Sequence, residues 1–206
     1  MRSPIRIACS CLVAASTVVA AFLFVTPLPA TAAPEDFNYL VGRGIRDVTG
    51  PPFGVQMWGF VREGQTTEGI HLRLWSRAVI IAEPDDGSRV ALVTVDVGSI
   101  PHALKQTVVE RLESEFGDTY RHDNVVIAAT HTHAGPGGYW PEGAASPLVS
   151  AFHRAHFDKL ADGVYDALVA AHEDLEPGAV YLATGELENA GAQRSRVAYD
   201  ANPADE

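Results

Sequence analysis

The stretch from Leu72 to Val97 limits the fold of this chain more than any other. Leu72 to Glu83 begins with apolar and polar residues in alternation and then becomes continuously apolar, the pattern of a strand. Pro84-Asp85-Asp86-Gly87 is a hairpin turn, built from residues that preset φ, bond their own backbone or accept a left-handed conformation. Arg89 to Val97 returns as a second strand, expected to be buried on both faces near Val93 and Val95. An antiparallel pair here rules out a purely parallel sheet.

Beyond the hairpin, helix and strand signals interleave. A helix is expected from Pro101 to Phe116, because Leu104, Val108, Leu112 and Phe116 recur every four residues and Gly117 stops it. Val125 to Ala129 reads as a buried strand. Pro147 to Leu175 holds the longest helix, with Phe152, Phe157, Leu160, Val164, Leu168 and Ala171 at helical spacing and Pro177-Gly178 ending it. Ala179 to Gly185 reads as a further strand, and Asn189 to Glu206 is polar and irregular. Tyr39 to Pro52 is rich in glycine, with Asp47 to Pro52 expected to form a loop, and Gln56 to Gly69 reads as another glycine-punctuated loop. The expected fold class is α/β, a layered mixed sheet with packed helices.

The N-terminus carries Arg2 and Arg6, an apolar run from about Ile7 to Val25, and Ala30-Thr31-Ala32 as a small-x-small cleavage site. Residues 1–32 are therefore expected to be a signal peptide of a secreted protein, with 33–206 as the mature chain. An uncleaved anchor is the alternative, disfavoured by Pro27 and Pro29. Cys9 and Cys11 both fall within that peptide, so the mature chain has no thiol or disulfide chemistry. Loss of Arg2 and Arg6 takes the net charge from −11 to −13. So acidic a surface argues against nucleic acid as a partner.

The residues richest in chemistry follow Val125 to Ala129. In Thr130-His131-Thr132-His133-Ala134-Gly135-Pro136-Gly137-Gly138-Tyr139, two imidazoles two residues apart in an extended segment point to the same side. The glycines and proline bar a helix and let backbone approach a ligand. Two histidines at a strand end suit half of a zinc site, and equally suit a loop with no function. Arg194 has a solvated reading and an oxyanion-stabilising one. Asp96, at the end of a strand, reads more simply as a loop-bonding carboxylate than as a catalytic group. His153 and His156 read as solvated residues of the long helix.

Five runs together resemble the neutral ceramidase family: Val41 to Pro51, Gly69 to Ala78, Tyr120 to Val125, Thr130 to Tyr139, and Arg194-Ser195 with Asn202-Pro203-Ala204. They occur in the family's order and spacing across essentially all of the mature chain. Gln193 stands where the family has Asn, and Arg196 where it has Pro. The resemblance implies a secreted zinc amidase that cleaves ceramide to sphingosine and a fatty acid. It implies that His131 is a zinc ligand, that His133 lies beside the metal-bound water for proton transfer, and that Arg194 faces the scissile amide. Gly59 is implied as a backbone contributor to the same pocket. His71 falls where a main-chain carbonyl binds a structural Ca²⁺ or Mg²⁺. Met57, Trp58, Phe60, Tyr139 and Trp140 are candidates to line an apolar groove for the substrate tails. A lipid substrate implies peripheral membrane contact.

The resemblance further implies that the remaining zinc ligands lie downstream. The chain is thus expected to be the incomplete N-terminal part of a larger catalytic domain, inactive alone. Two other readings stay open: a secreted, non-catalytic binding fragment, and a zinc hydrolase that completes its site with a second chain.

Overall fold

The computed structural model describes residues 38–59, 62, 64–85, 87–141, 151–192 and 194–203. The expected signal peptide, Phe60, Gln193 and the start of the long helix before residue 151 lie outside them.

The centre is a five-stranded sheet in the order β6-β5-β4-β1-β7. Its strands are β1 (Tyr39–Asp47), β4 (Trp75–Ala82), β5 (Arg89–Val95), β6 (Val125–Ala129) and β7 (Glu176–Gly178). A second, two-stranded sheet joins β2 (Phe53–Gln56) to β3 (Thr66–Glu68). The hairpin forms as expected, with β4 and β5 antiparallel and Ala82 opposite Arg89. Glu83 N–H donates to Ser88 O at 3.0 Å, and the Glu83 carboxylate accepts from Ser88 N–H at 3.0 Å. β5 and β6 run parallel. Such a pair needs a crossover, which α1 (His102–Phe116) supplies. α1 buries Leu104, Val108 and Leu112 as its spacing predicts, and ends at Gly117 with φ 59°.

Several expectations need correction. The segment 39–47, marked in the sequence only as glycine-rich, is a strand paired with both β4 and β7. Its glycines misled the reading, and they exist for a packing reason. A Cβ on Gly42 would stand 1.9 Å from the Ala171 carbonyl oxygen, and one on Gly44 would stand 2.0 Å from that of Ala167. Helix α2 (Arg154–Glu173) therefore rests on the backbone of β1 with no side chain between them. β3 likewise replaces part of the expected second loop, and β2 runs up to its first residue, Gln56. The strand expected at 179–185 is absent; the pairing with β1 is made instead by Glu176–Gly178. β5 is not buried on both faces. Ala91, Val93 and Val95 point into the core, while Leu92 and Thr94 are exposed. In β6 only Val125 is fully buried.

Both long helices cover one face of the sheet. Val48, Ile80, Val95, Leu104, Leu112, Leu160, Val164 and Leu168 meet there in a single core. On the other face Val79, Leu92 and Val126 are direct cross-strand neighbours and all three are exposed. Residues 180–192 and 194–203 are exposed throughout, and α3 (Arg196–Tyr199) buries no residue. No helix among the described residues is long and apolar enough to cross a membrane.

Candidate active site

The parallel strands β5 and β6 end side by side, and the candidate site lies just past their carboxyl ends. This is where open α/β sheets generally place ligands. Thr130 N–H donates to Val95 O at 2.9 Å, which fixes the two exits together. The loop after β6 is then fastened to the end of β2. Trp58 N–H donates to Gly135 O at 3.1 Å, and Gly137 N–H donates to Gln56 O at 2.9 Å. These bonds carry Trp58 and Gly59 to the histidine pair.

His131 and His133 do converge, with ring centroids 5.0 Å apart and planes at 64°. The cause differs from the expected strand alternation. β6 stops at Ala129, and His131 has φ 60°, in the left-handed region. Thr132 and Ala134, of the opposite parity, line a separate cavity of about 600 Å³ together with Met57, His71, Leu72 and Arg73. Trp58 meets both imidazoles edge-on, at 5.2 Å from His131 and 5.0 Å from His133. The indole fits because Gly98 lies against it; a Cβ there would come within 2.1 Å of the ring. Gly59, at φ 99°, leaves room for the His133 ring in the same way, since a Cβ would stand 2.5 Å from its Cε1.

The tautomer of His131 follows from its bond. Its Nδ1 lies 2.8 Å from Gly98 O, and a carbonyl only accepts, so Nδ1 carries the proton. Nε2 then holds the lone pair that a metal needs, in a residue that is itself exposed. The donor chemistry fits one imidazole ligand. It does not fit a whole zinc site, because no three His, Cys, Asp or Glu side chains come together among the described residues.

The left-handed backbone at His131 strains any residue that has a Cβ. His131→Gly should therefore be more stable than His131→Ala by about 1 kcal/mol in urea melts. A more stable alanine variant would mean that the backbone relaxes out of that conformation.

The other candidates separate. Gly59 joins the pair. Arg194 lies in the exposed tail, and His71 in an exposed loop beside the cavity; neither has a described contact with the two histidines. Asp96 has the structural role: its carboxylate accepts Trp75 N–H at 3.0 Å and Arg77 Nη1 at 2.9 Å. Tyr139 is no groove residue. It is fully buried, and its hydroxyl accepts N–H from Gly98 at 3.1 Å and Ser99 at 3.2 Å. Burial pushes its pKa up, so it serves as a neutral acceptor. His156, expected in solvent, is 1% exposed, because its side of α2 faces the sheet and the loop after His133. The sequence reading missed Gly98 and the support that His156 gives.

Two imidazoles thus meet at the carboxyl end of an α/β sheet, one of them with its proton held on Nδ1. Residues 39–206 match the family model described as neutral/alkaline non-lysosomal ceramidase, N-terminal. The chain belongs to that family. It is 43% identical over 169 residues to neutral ceramidase 1 of Arabidopsis thaliana, covering 82% of this chain and 22% of that protein. It is 36% identical over 181 residues to the neutral ceramidase of Pseudomonas aeruginosa, covering 88% of this chain and 27% of that protein. The crystal structure of neutral ceramidase from Pseudomonas aeruginosa superposes with a TM-score of 0.78 at 37% identity, covering 82% of this chain and 27% of that one. The chain thus spans about a quarter of the length of the relatives it matches.

Proposed function

We propose that this chain is the N-terminal part of a zinc-dependent ceramidase, which hydrolyses the amide of ceramide to sphingosine and a fatty acid. The observation that carries this reading is His131, in a segment matched by the family, held as one tautomer with its Nε2 lone pair available beside His133. Bound zinc would supply Lewis-acid polarisation of the amide carbonyl and acidification of water.

The residues of this chain have distinct tasks in that scheme. His131 contributes one ligand through Nε2. His133 moves a proton toward the leaving amine. Gly59 keeps the pocket open against the His133 ring. Arg194 steadies charge on the amide oxygen once further polypeptide brings the tail back to the site. The carbonyl of His71 holds a structural Ca²⁺ or Mg²⁺. The remaining zinc ligands come from polypeptide beyond this chain, which alone holds zinc weakly and turns nothing over. That further polypeptide also covers the apolar sheet face of Val79, Leu92 and Val126. The complete enzyme is secreted after removal of residues 1–32 and meets its lipid substrate by peripheral contact with the membrane.

A chimera tests the scheme. This chain replaces the matching quarter of the Pseudomonas aeruginosa relative, and ceramide hydrolysis and bound zinc are measured. The chimera should be active, the isolated chain inactive, and His131→Ala in the chimera slower by at least about a thousandfold with less zinc. Unchanged turnover and metal content in that variant would remove the ligand assignment.

A further inference from the structure

Helix α2 reaches the site through a residue with no place in the chemistry above. The Nδ1–H of His156 donates to Gly137 O at 2.8 Å. Its ring stands edge-on to Tyr139, with centroids 5.3 Å apart. The Tyr139 hydroxyl receives the Gly98 N–H at 3.1 Å, and Gly98 O receives the His131 Nδ1–H at 2.8 Å. Contacts thus run without a break from the buried His156 through Tyr139 and Gly98 to His131 at the surface.

Packing alone does not account for a histidine at position 156. Its Nε2 is buried against Gly50 with no hydrogen-bond partner among the described residues. An orphaned polar atom is a penalty that leucine or phenylalanine would avoid. What the imidazole adds is the Nδ1–H donor for Gly137, in a loop whose residues 135–139 are all buried. The same turn of helix grips the loop a second time, as His153 N–H donates to Gly138 O at 2.7 Å. The loop that follows His133 is therefore clamped by the start of α2, and Tyr139 passes that constraint to Gly98.

We infer that His156 is a positioning residue for His131: it fixes the tautomer and orientation of that imidazole through Gly137, Tyr139 and the Gly98 carbonyl. Its value to catalysis rests on His131 being a zinc ligand. The coupling itself belongs to the metal-free chain, so the two ideas fail separately.

The test uses the chain labelled with ¹⁵N-histidine and long-range ¹H–¹⁵N spectra, which distinguish the two imidazole tautomers. In the wild type His131 should show the Nδ1–H form alone. His156→Phe keeps an aromatic ring and removes the donor, so the Nε2–H form of His131, undetected in the wild type, should appear as a second resolved signal. His156→Asn places an amide N–H near the lost donor and should restore most of the wild-type signal. A folded His156→Phe variant with the wild-type His131 tautomer overturns the inference. Should that variant not fold, Tyr139→Phe removes the hydroxyl acceptor and should release His131 equally; an unchanged tautomer there overturns it too. Zinc added to the wild type at millimolar concentration should move the His131 resonances. The ligand reading itself is decided by zinc content in the chimera, and its failure there leaves the coupling standing.

Discussion

Gly44→Val is expected to leave the chain without a cooperative unfolding transition. The Cβ would stand 2.0 Å from the Ala167 carbonyl oxygen, and the branched methyl groups would reach farther. The obstacle is helix backbone, which has no rotamer to change, so α2 must lift from β1. Lifting it uncovers Leu160, Val164 and Leu168, all fully buried. At about 1.5–3 kcal/mol for each large side chain, the loss approaches the ~5–15 kcal/mol that holds a whole domain together. Ile45→Ala, on the opposite face of the same strand, removes an exposed side chain and should shift stability by less than about 1 kcal/mol. Circular dichroism melts compare the two. A Gly44→Val chain that melts sharply within a few degrees of wild type would show that the helix does not sit on the strand as described.

Acidification from pH 7 to pH 4 should remove about 3 kcal/mol of stability through His156. Burial lowers its pKa from 6.5 to about 4, against the Gly137 bond, which raises it, and with a smaller lowering from His153. The sign follows from proton counting. Between those two values the imidazole is neutral in the folded chain and protonated in the unfolded one, so the unfolded state gains protons as the pH falls. The folded state carries no such penalty above pH 6.5 and its full extent near pH 4. Asp47, Asp123 and Asp174 have pKa values below 3.8, so their contributions are lost at lower pH. His172 is also lowered by burial and adds slope in the same direction. His156→Asn isolates the effect. Its stability, from urea midpoints across this range, should decline less steeply than that of wild type. Parallel curves would sink the assignment of the slope to this residue.

Where local pattern and tertiary role agree, the chain is readable. Leu104, Val108 and Leu112 are both helical in spacing and buried in fact, and Pro84 to Gly87 makes the turn its composition favours. β1 was hidden because its glycines answer to α2, a partner more than a hundred residues away, and a local reading takes glycine for a loop. The one-sided burial of β5 was equally hidden: Leu92 is apolar whether a second layer covers it or not. The two histidines could be paired from their spacing, yet the left-handed turn that brings them together leaves only a faint residue signature: histidine is enriched there relative to most side chains, but positive φ stays uncommon for any residue other than glycine. His156 did have a signal. It falls four residues before Leu160 and eight before Val164, on the stripe that faces the core. Reading it as solvated gave polarity precedence over position. Arg194 depends on contacts that no local pattern encodes.

The uncovered aliphatics of the sheet have a practical meaning for anyone purifying this chain. With a net charge of −11, molecules repel one another at low ionic strength and stay apart. Added salt screens that repulsion and leaves the short-range pull between wet hydrocarbon strips intact, so brine drives clumping here. A mild non-ionic detergent, able to occupy the strip itself, is the additive expected to keep the preparation monodisperse.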